Sequence, residues 1–196
     1  MNNTLPQFRL HPEAVARGFV DSQGGGQKEV QHRFRLTNTL ETFEEEIWPY
    51  IEKFFKKDSE VLDVGCGNGR FSWYLSHFVK EVTSIDPYDE RYDSYKSDNI
   101  FFEKSDFQSY KTNKKYDVIF LLGVYYLWVS DNDLSRDSIN KMTSMLKEDG
   151  IIILIDQSMH SDPPVETVCD KYQKVDCYLQ KNGVHKINII KKKQGE

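Results

Sequence analysis

Short apolar runs alternate with amphipathic ones from Glu60 onward. Val61-Leu62-Asp63-Val64 predicts a short buried strand, Glu81 to Ile85 a second, Ile100-Phe101-Phe102 a third, Tyr116 to Leu122 a fourth and Ile151 to Ile155 a fifth. Between them, Phe71 to Val79 sets Phe71, Leu75 and Phe78 on one helical face. Ser138 to Leu146 does the same with Ile139, Met142 and Leu146, and Asp149-Gly150 ends that helix. Strands that are apolar on both faces, separated by helices, predict an α/β fold of three layers. Its sheet is mostly parallel, with helices on both faces.

The two ends read differently. Thr42 followed by Glu45 has the form of a capping box, and Phe43, Ile47, Tyr50, Ile51 and Phe54 then recur at helical spacing, with Pro49 set to kink or restart the helix. Before this, Pro12 to Val20 predicts a short helix, and Ser22 to Gln27, with its three glycines, predicts a flexible loop. Behind the alternating region, Val165, Val168, Tyr172, Val175 and Leu179 fit a helix ending at Asn182-Gly183, followed by a strand from His185 to Lys191. The competing reading is a hairpin about Asn182-Gly183, since Asn-Gly is a strong hairpin signal. The apolar spacing favours the helix, which gives six strands in all. The expected organisation is an N-terminal lid or helical segment over 1–57 and a core over 58–196.

Composition narrows the function. A chain of 196 residues forms one domain. Lys and Arg number 26 against 31 Asp and Glu, a net charge of −5, which argues against coating DNA or RNA. An aromatic fraction of 13% argues against disorder. The longest apolar stretch, Val118 to Val129, is shorter than the roughly 20 residues a bilayer span needs, so no membrane association is expected. Met1 to Leu10 holds no apolar run of the signal-peptide kind, which makes the cytoplasm the expected location. Cys66, Cys169 and Cys177 are odd in number and show no C-x-x-C spacing, so neither a disulfide framework nor a metal site is expected.

The chemistry begins at Asp63-Val64-Gly65-Cys66-Gly67-Asn68-Gly69, which follows a strand and opens a helix. Glycines in that context let the backbone turn tightly and approach a ligand. A dinucleotide fingerprint, counted from Gly65, would place its third glycine where Arg70 stands, and no Gly-Lys-Ser/Thr follows to make a P-loop. Asp86 lies 21 residues beyond Gly65, at the end of the second strand, where a carboxylate can accept hydrogen bonds from both ribose hydroxyls. The expected ligand is an adenosine without a pyrophosphate.

These segments resemble, in order, the motifs of class I S-adenosylmethionine-dependent methyltransferases. Val61 to Gly69 is similar to the first motif, Ile85-Asp86-Pro87 to the second, and Ser105-Asp106-Phe107 to the third. Tyr116 to Phe120 resembles the fourth strand, and Leu146 to Ile151 the turn before the fifth, although Asp149 stands where the family often has glycine. The resemblance covers roughly residues 58–157 and implies a Rossmann-like methyltransferase fold with S-adenosyl-L-methionine as cofactor. It implies that Gly65, Cys66, Gly67 and Gly69 pass under the methionine part and that Asp63 helps hold its amino group. It assigns Asp86 to the ribose and Pro87 or Tyr88 to the flank of the adenine. Asp106 and the Phe107 amide meet the adenine edge, and Leu122 and Gly123 supply backbone near the methionine. Cys66 is not expected to be a nucleophile.

On the acceptor side, ligands of open parallel sheets bind beyond the carboxyl ends of the strands. Tyr125 and Tyr126 follow the fourth strand and point to opposite sides if extended, so one should face the methyl group; both are alternatively core aromatics. His160, beyond the fifth strand, is a candidate general base, or a solvated loop histidine. His32, Arg33 and Arg35 are candidates to meet a carboxylate, or form a solvated basic face. The leading expectation is methyl transfer to an O or N atom of a small-molecule metabolite. The alternatives are an RNA or protein methyltransferase and a non-catalytic cofactor-binding regulator or partner subunit. No Asn-Pro-Pro-Tyr-type motif follows the fourth strand, where Leu122-Gly123-Val124-Tyr125 stands, which counts against N-methylation of bases.

Overall fold

Val61, Leu62 and Val64 are all buried, so the strand that carries them is covered on both faces, as a central parallel strand must be. A computed structural model describes residues 40, 43–88, 91–124, 132–157, 171–179 and 185–193. Seven strands form one sheet: β1 (Glu60–Val64), β2 (Glu81–Asp86), β3 (Ile100–Lys104), β4 (Tyr116–Leu122), β5 (Leu146–Gln157), β6 (Tyr172–Leu179) and β7 (His185–Lys192). Their order is β3-β2-β1-β4-β5-β7-β6. β1 to β5 are parallel, and β7 runs antiparallel between β5 and β6. The chain leaves β1 toward β2 and β3 on one side and toward β4 and β5 on the other. The crevice of this fold therefore lies above the ends of β1 and β4.

Helices cover both faces, as expected. Alternation along β4 sends Val118 and Phe120 into one core cluster and Ile119 and Leu121 into the other. The first cluster is closed by α1 (Trp48–Ile51), α2 (Arg70–Ser76) and their neighbours, the second by α3 (Asn132–Ser144). A π-turn over Phe43–Ile47 precedes α1 and a 3₁₀ turn over Glu52–Phe54 follows it. Pro49 sits in the first turn of α1, the restart rather than the kink of the two readings open for it, because that turn has no use for its missing N–H. Phe43 lies 5.0 Å from the Phe71 ring and edge-on to Tyr74 at 5.3 Å, and Trp48 lies 4.6 Å from Phe78. The described part of the leading segment is thus part of the core.

Three expectations need correction. The helix expected over Val165 to Leu179 is, in its described part, the edge strand β6, so the sheet has seven strands and not six. Val175 mimicked a helical position because it lies where the β6–β7 register shifts, and it is exposed. β6 pairs antiparallel with β7 as far as Leu179 with Lys186, and Asn182-Gly183 lies outside the described residues. Second, α3 begins at Asn132, not Ser138, because its first turns bury Ser135 and Ser138 and carry little apolar signal. Third, β5 begins at Leu146. Tyr116 pairs with Leu146 and Val118 with Ile151, so residues 147–150 bulge out. A Cβ on Gly150 would lie 2.8 Å from the Tyr116 carbonyl oxygen, which explains the glycine. Lys147 ties the bulge down through Asp117 at 2.8 Å and Glu60 at 3.0 Å. The helix and loop expected before residue 40, and Thr42, lie outside the described residues.

Candidate active site

Four glycines of the site have positive φ: Gly65 at 75°, Gly67 at 52°, Gly69 at 85° and Gly123 at 70°. The reasons differ. Gly65 is packed: a Cβ there would stand 2.3 Å from Val124 Cγ2. Gly67 is open, with nothing within 4 Å of a Cβ. The empty side of the loop therefore lies at Gly67, beside Asp86. Gly69 ends the loop in a left-handed conformation as the N-cap of α2.

The loop is tied to the end of β2. Gly65 N–H donates to the Ile85 carbonyl at 2.8 Å, and Gly67 N–H donates to Asp86 Oδ2 at 2.9 Å. The Tyr88 amide donates to Asp86 Oδ1 at 2.9 Å. Asp86 is buried, yet each oxygen takes one backbone donor and keeps acceptor capacity for a further partner. That is the arrangement needed for a vicinal diol. Beside it, Pro87 is exposed and the Tyr88 side chain is 56% exposed, a free aromatic face at the rim.

Asp63 lies beneath the loop and is buried. Ser72 Oγ, from α2, donates to its Oδ2 at 2.5 Å, and Ser84 Oγ donates to Ser72 Oγ at 2.8 Å. Burial raises the Asp63 carboxyl to about 7, the Ser72 hydrogen bond opposes this, and the nearby Asp86 charge adds to it. Cys66 is buried and free, and burial pushes its thiol well up, so it is not a thiolate nucleophile.

Asp106 and Phe107 stand past the end of β3. Asp106 is exposed and accepts the Ser109 amide on Oδ1 at 2.9 Å, and hydrogen bonds from Ser109 hold its carboxyl below the usual range. Phe107 is buried against the α3 side of the sheet. At the end of β4, Leu122 is half-buried, and Gly123 N–H donates to the Ile155 carbonyl at 2.8 Å. The cofactor-site residues foreseen in the sequence thus gather along the carboxyl ends of β1 to β4. Tyr125, Tyr126 and His160 lie outside the described residues.

Sequence reasoning missed several polar neighbours. Ser84 is directly opposite Asp63 in the β1–β2 register, and two polar residues at matching positions of two apolar strands were a usable signal. Asp156 is buried at the end of β5, next to the Ile155 carbonyl that holds Gly123. Arg91 stacks over Phe102 at 3.7 Å and packs beside Gly69, a contact across the loop after β2 that no spacing reveals.

A strand-glycine loop-helix unit, an acidic residue ending the second strand and this strand order define a methyltransferase architecture. The chain belongs to the methyltransferase domain family, whose model matches residues 55–194. Over 87 residues it is 32% identical to the 235L protein of Invertebrate iridescent virus 6, named as a methyltransferase. That match covers 42% of this chain and 32% of the viral protein, so less than two thirds of the relative's length is spanned. The N-methyltransferase NodS from Bradyrhizobium japonicum WM9, in complex with S-adenosyl-L-homocysteine, is similar in fold with a TM-score of 0.68 and 16% identity, over 93% of this chain and 98% of NodS. The ribosomal protein L11 methylase of Lactobacillus delbrueckii subsp. bulgaricus is similar with a TM-score of 0.58 and 21% identity, over 74% of this chain and 75% of the methylase.

Proposed function

We propose that the chain transfers a methyl group from S-adenosyl-L-methionine to an oxygen or nitrogen atom of a small-molecule metabolite, in the cytoplasm. The observation that carries the cofactor is Asp86, a buried carboxylate held by the Gly67 and Tyr88 amides with acceptor capacity left on both oxygens, next to the open side of Gly67. NodS, similar in fold, is seen with S-adenosyl-L-homocysteine.

In this reading Asp86 takes the ribose hydroxyls and the Tyr88 ring or Pro87 flanks the adenine. Asp106 accepts from the adenine amino group and the Phe107 amide donates to the ring. Gly65, Cys66, Gly67 and Gly69 line the methionine part together with Leu122 and Gly123, and Asp63 faces its amino group. When bound, the sulfonium supplies an electrophilic methyl group for in-line displacement. The protein's task is to align the acceptor and exclude water. Tyr125 and Tyr126 are assigned to the acceptor pocket and His160 to proton removal from a hydroxyl acceptor. Residues 43–55 help close the core, so this part of the segment assigned as a lid over 1–57 is built into the domain.

The net charge of −5 favours a small acceptor over RNA. The test offers a labelled methyl donor with metabolite extract, RNA and total protein in parallel. Label in the metabolite fraction is expected. Label in RNA or protein would replace this reading with the macromolecular one, and cofactor binding without label in any fraction would favour a regulator.

A further inference from the structure

The segment between β3 and β4 has no helix of its own to shape it among residues 105–115. Its first turn is instead held from outside. Lys141, in the third turn of α3, donates from Nζ to the Phe107 carbonyl at 2.6 Å and to the Gln108 carbonyl at 2.8 Å. Its ammonium also lies 5.1 Å from the Phe107 ring centroid. One turn earlier on the same helix, Ser138 Oγ accepts from Gln108 Nε2 at 2.8 Å. Within the loop, the Asp106 carbonyl accepts from the Tyr110 amide at 3.0 Å and from Ser105 Oγ at 2.9 Å. The carbonyls of Asp106, Phe107 and Gln108 are therefore all engaged. Because each peptide unit is planar, this fixes three successive planes, including the one that carries the Phe107 N–H.

We propose that Lys141 is a positioning residue for the donor's adenine, holding the Asp106–Phe107 turn in the shape that presents carboxylate and amide to the edge of the base. The inference rests on the adenine assignment made above for Asp106 and Phe107. Two acceptors on one ammonium suit this role, since each hydrogen bond to a charged group is stronger than a neutral one. The lysine is partly desolvated, which lowers its affinity for a proton, while the Asp106 charge favours the ammonium and Lys111 opposes it.

The test uses the full chain and two ligands, S-adenosyl-L-homocysteine and S-inosyl-L-homocysteine. The second carries a carbonyl where adenine carries its amino group, so it meets the Asp106 carboxylate with an acceptor. The wild type should prefer the adenosyl ligand by roughly tenfold, the worth of one hydrogen bond to a charged group. Lys141→Met should weaken the adenosyl ligand about tenfold and the inosyl ligand by less than about twofold, collapsing the preference. Lys141→Arg should restore most of it. Thermal unfolding monitors the fold of each variant. A preference unchanged in Lys141→Met, or equal loss of both ligands, would overturn the proposal. Asp106→Asn separates the two levels: if it abolishes the preference while Lys141→Met does not, only the positioning role fails. If it leaves the preference intact, the adenine assignment fails and the proposal with it.

Discussion

Asp63 offers the sharpest physical test of the site. It is 2% exposed beneath the glycine loop, and burial raises its carboxyl from 3.8 to about 7. An unfolded chain returns it to the ordinary value. The native state thus holds a proton that the unfolded state releases. That contribution is complete below about pH 4 and is lost as the pH rises to about 7. A rise of roughly three pH units, at about 1.36 kcal/mol each, amounts to about 4 kcal/mol. Between about pH 5 and about pH 8 the loss should be about 3 kcal/mol. Asp63→Asn keeps an acceptor for Ser72 and has no proton to lose, so it is the reference. Urea unfolding of both proteins without ligand at the two pH values should show the wild type losing about 3 kcal/mol relative to the variant. Parallel curves, or a wild type that gains on the variant as the pH rises, would refute the reasoning. Donor binding should also expel the proton, since its cationic amino group favours the carboxylate. Calorimetry near pH 6 in buffers of different ionisation heat reads that release directly.

Further outcomes follow from other contacts. Asp86→Ala removes the acceptor held by Gly67 and Tyr88 and should weaken S-adenosyl-L-homocysteine by about a hundredfold in calorimetry, two hydrogen bonds to a charged group at about 1.5 kcal/mol each. Gly65→Ala meets both a left-handed backbone and Val124, and should cost about 3 kcal/mol in denaturant unfolding. Adding Val124→Ala should recover the contact part and leave about 1–2 kcal/mol of backbone strain. Gly150→Ala presses on the Tyr116 carbonyl, which cannot swing away as a side chain can, and should cost about 2 kcal/mol by the same assay.

Much of this was legible because parallel strands and a glycine loop are local signals. Val61 to Val64 and Tyr116 to Leu122 announced themselves as apolar runs, and Asp86 stood at the right distance from Gly65. What the sequence hid was long-range. α3 starts with Ser135 and Ser138 on its buried face, so apolar periodicity began a turn and a half too late. β6 is an edge strand with a bulge, and a bulge breaks the period of two that marks a strand. Lys141 looked like any surface lysine, because its partners at Phe107 and Gln108 are more than thirty residues away.

The leading segment has a consequence for how the chain folds. Phe43, Ile47, Trp48 and Ile51 belong to the same core cluster as Ile187 and Ile189 of β7, and Lys191 lies over the Phe54 ring at 5.5 Å. Residues separated by well over a hundred positions complete one interior. During synthesis the aromatic residues near the start leave the ribosome long before the strand that seals them exists. Topologies of this kind fold slowly, because the entropy of closing the longest loop is spent before its contacts form. Until then the early apolar segment stays exposed, and exposed apolar surface of this kind favours aggregation. A chain cut before β7 would leave the segment without its cover, and hydrogen exchange at Phe43 to Ile51 would report the loss.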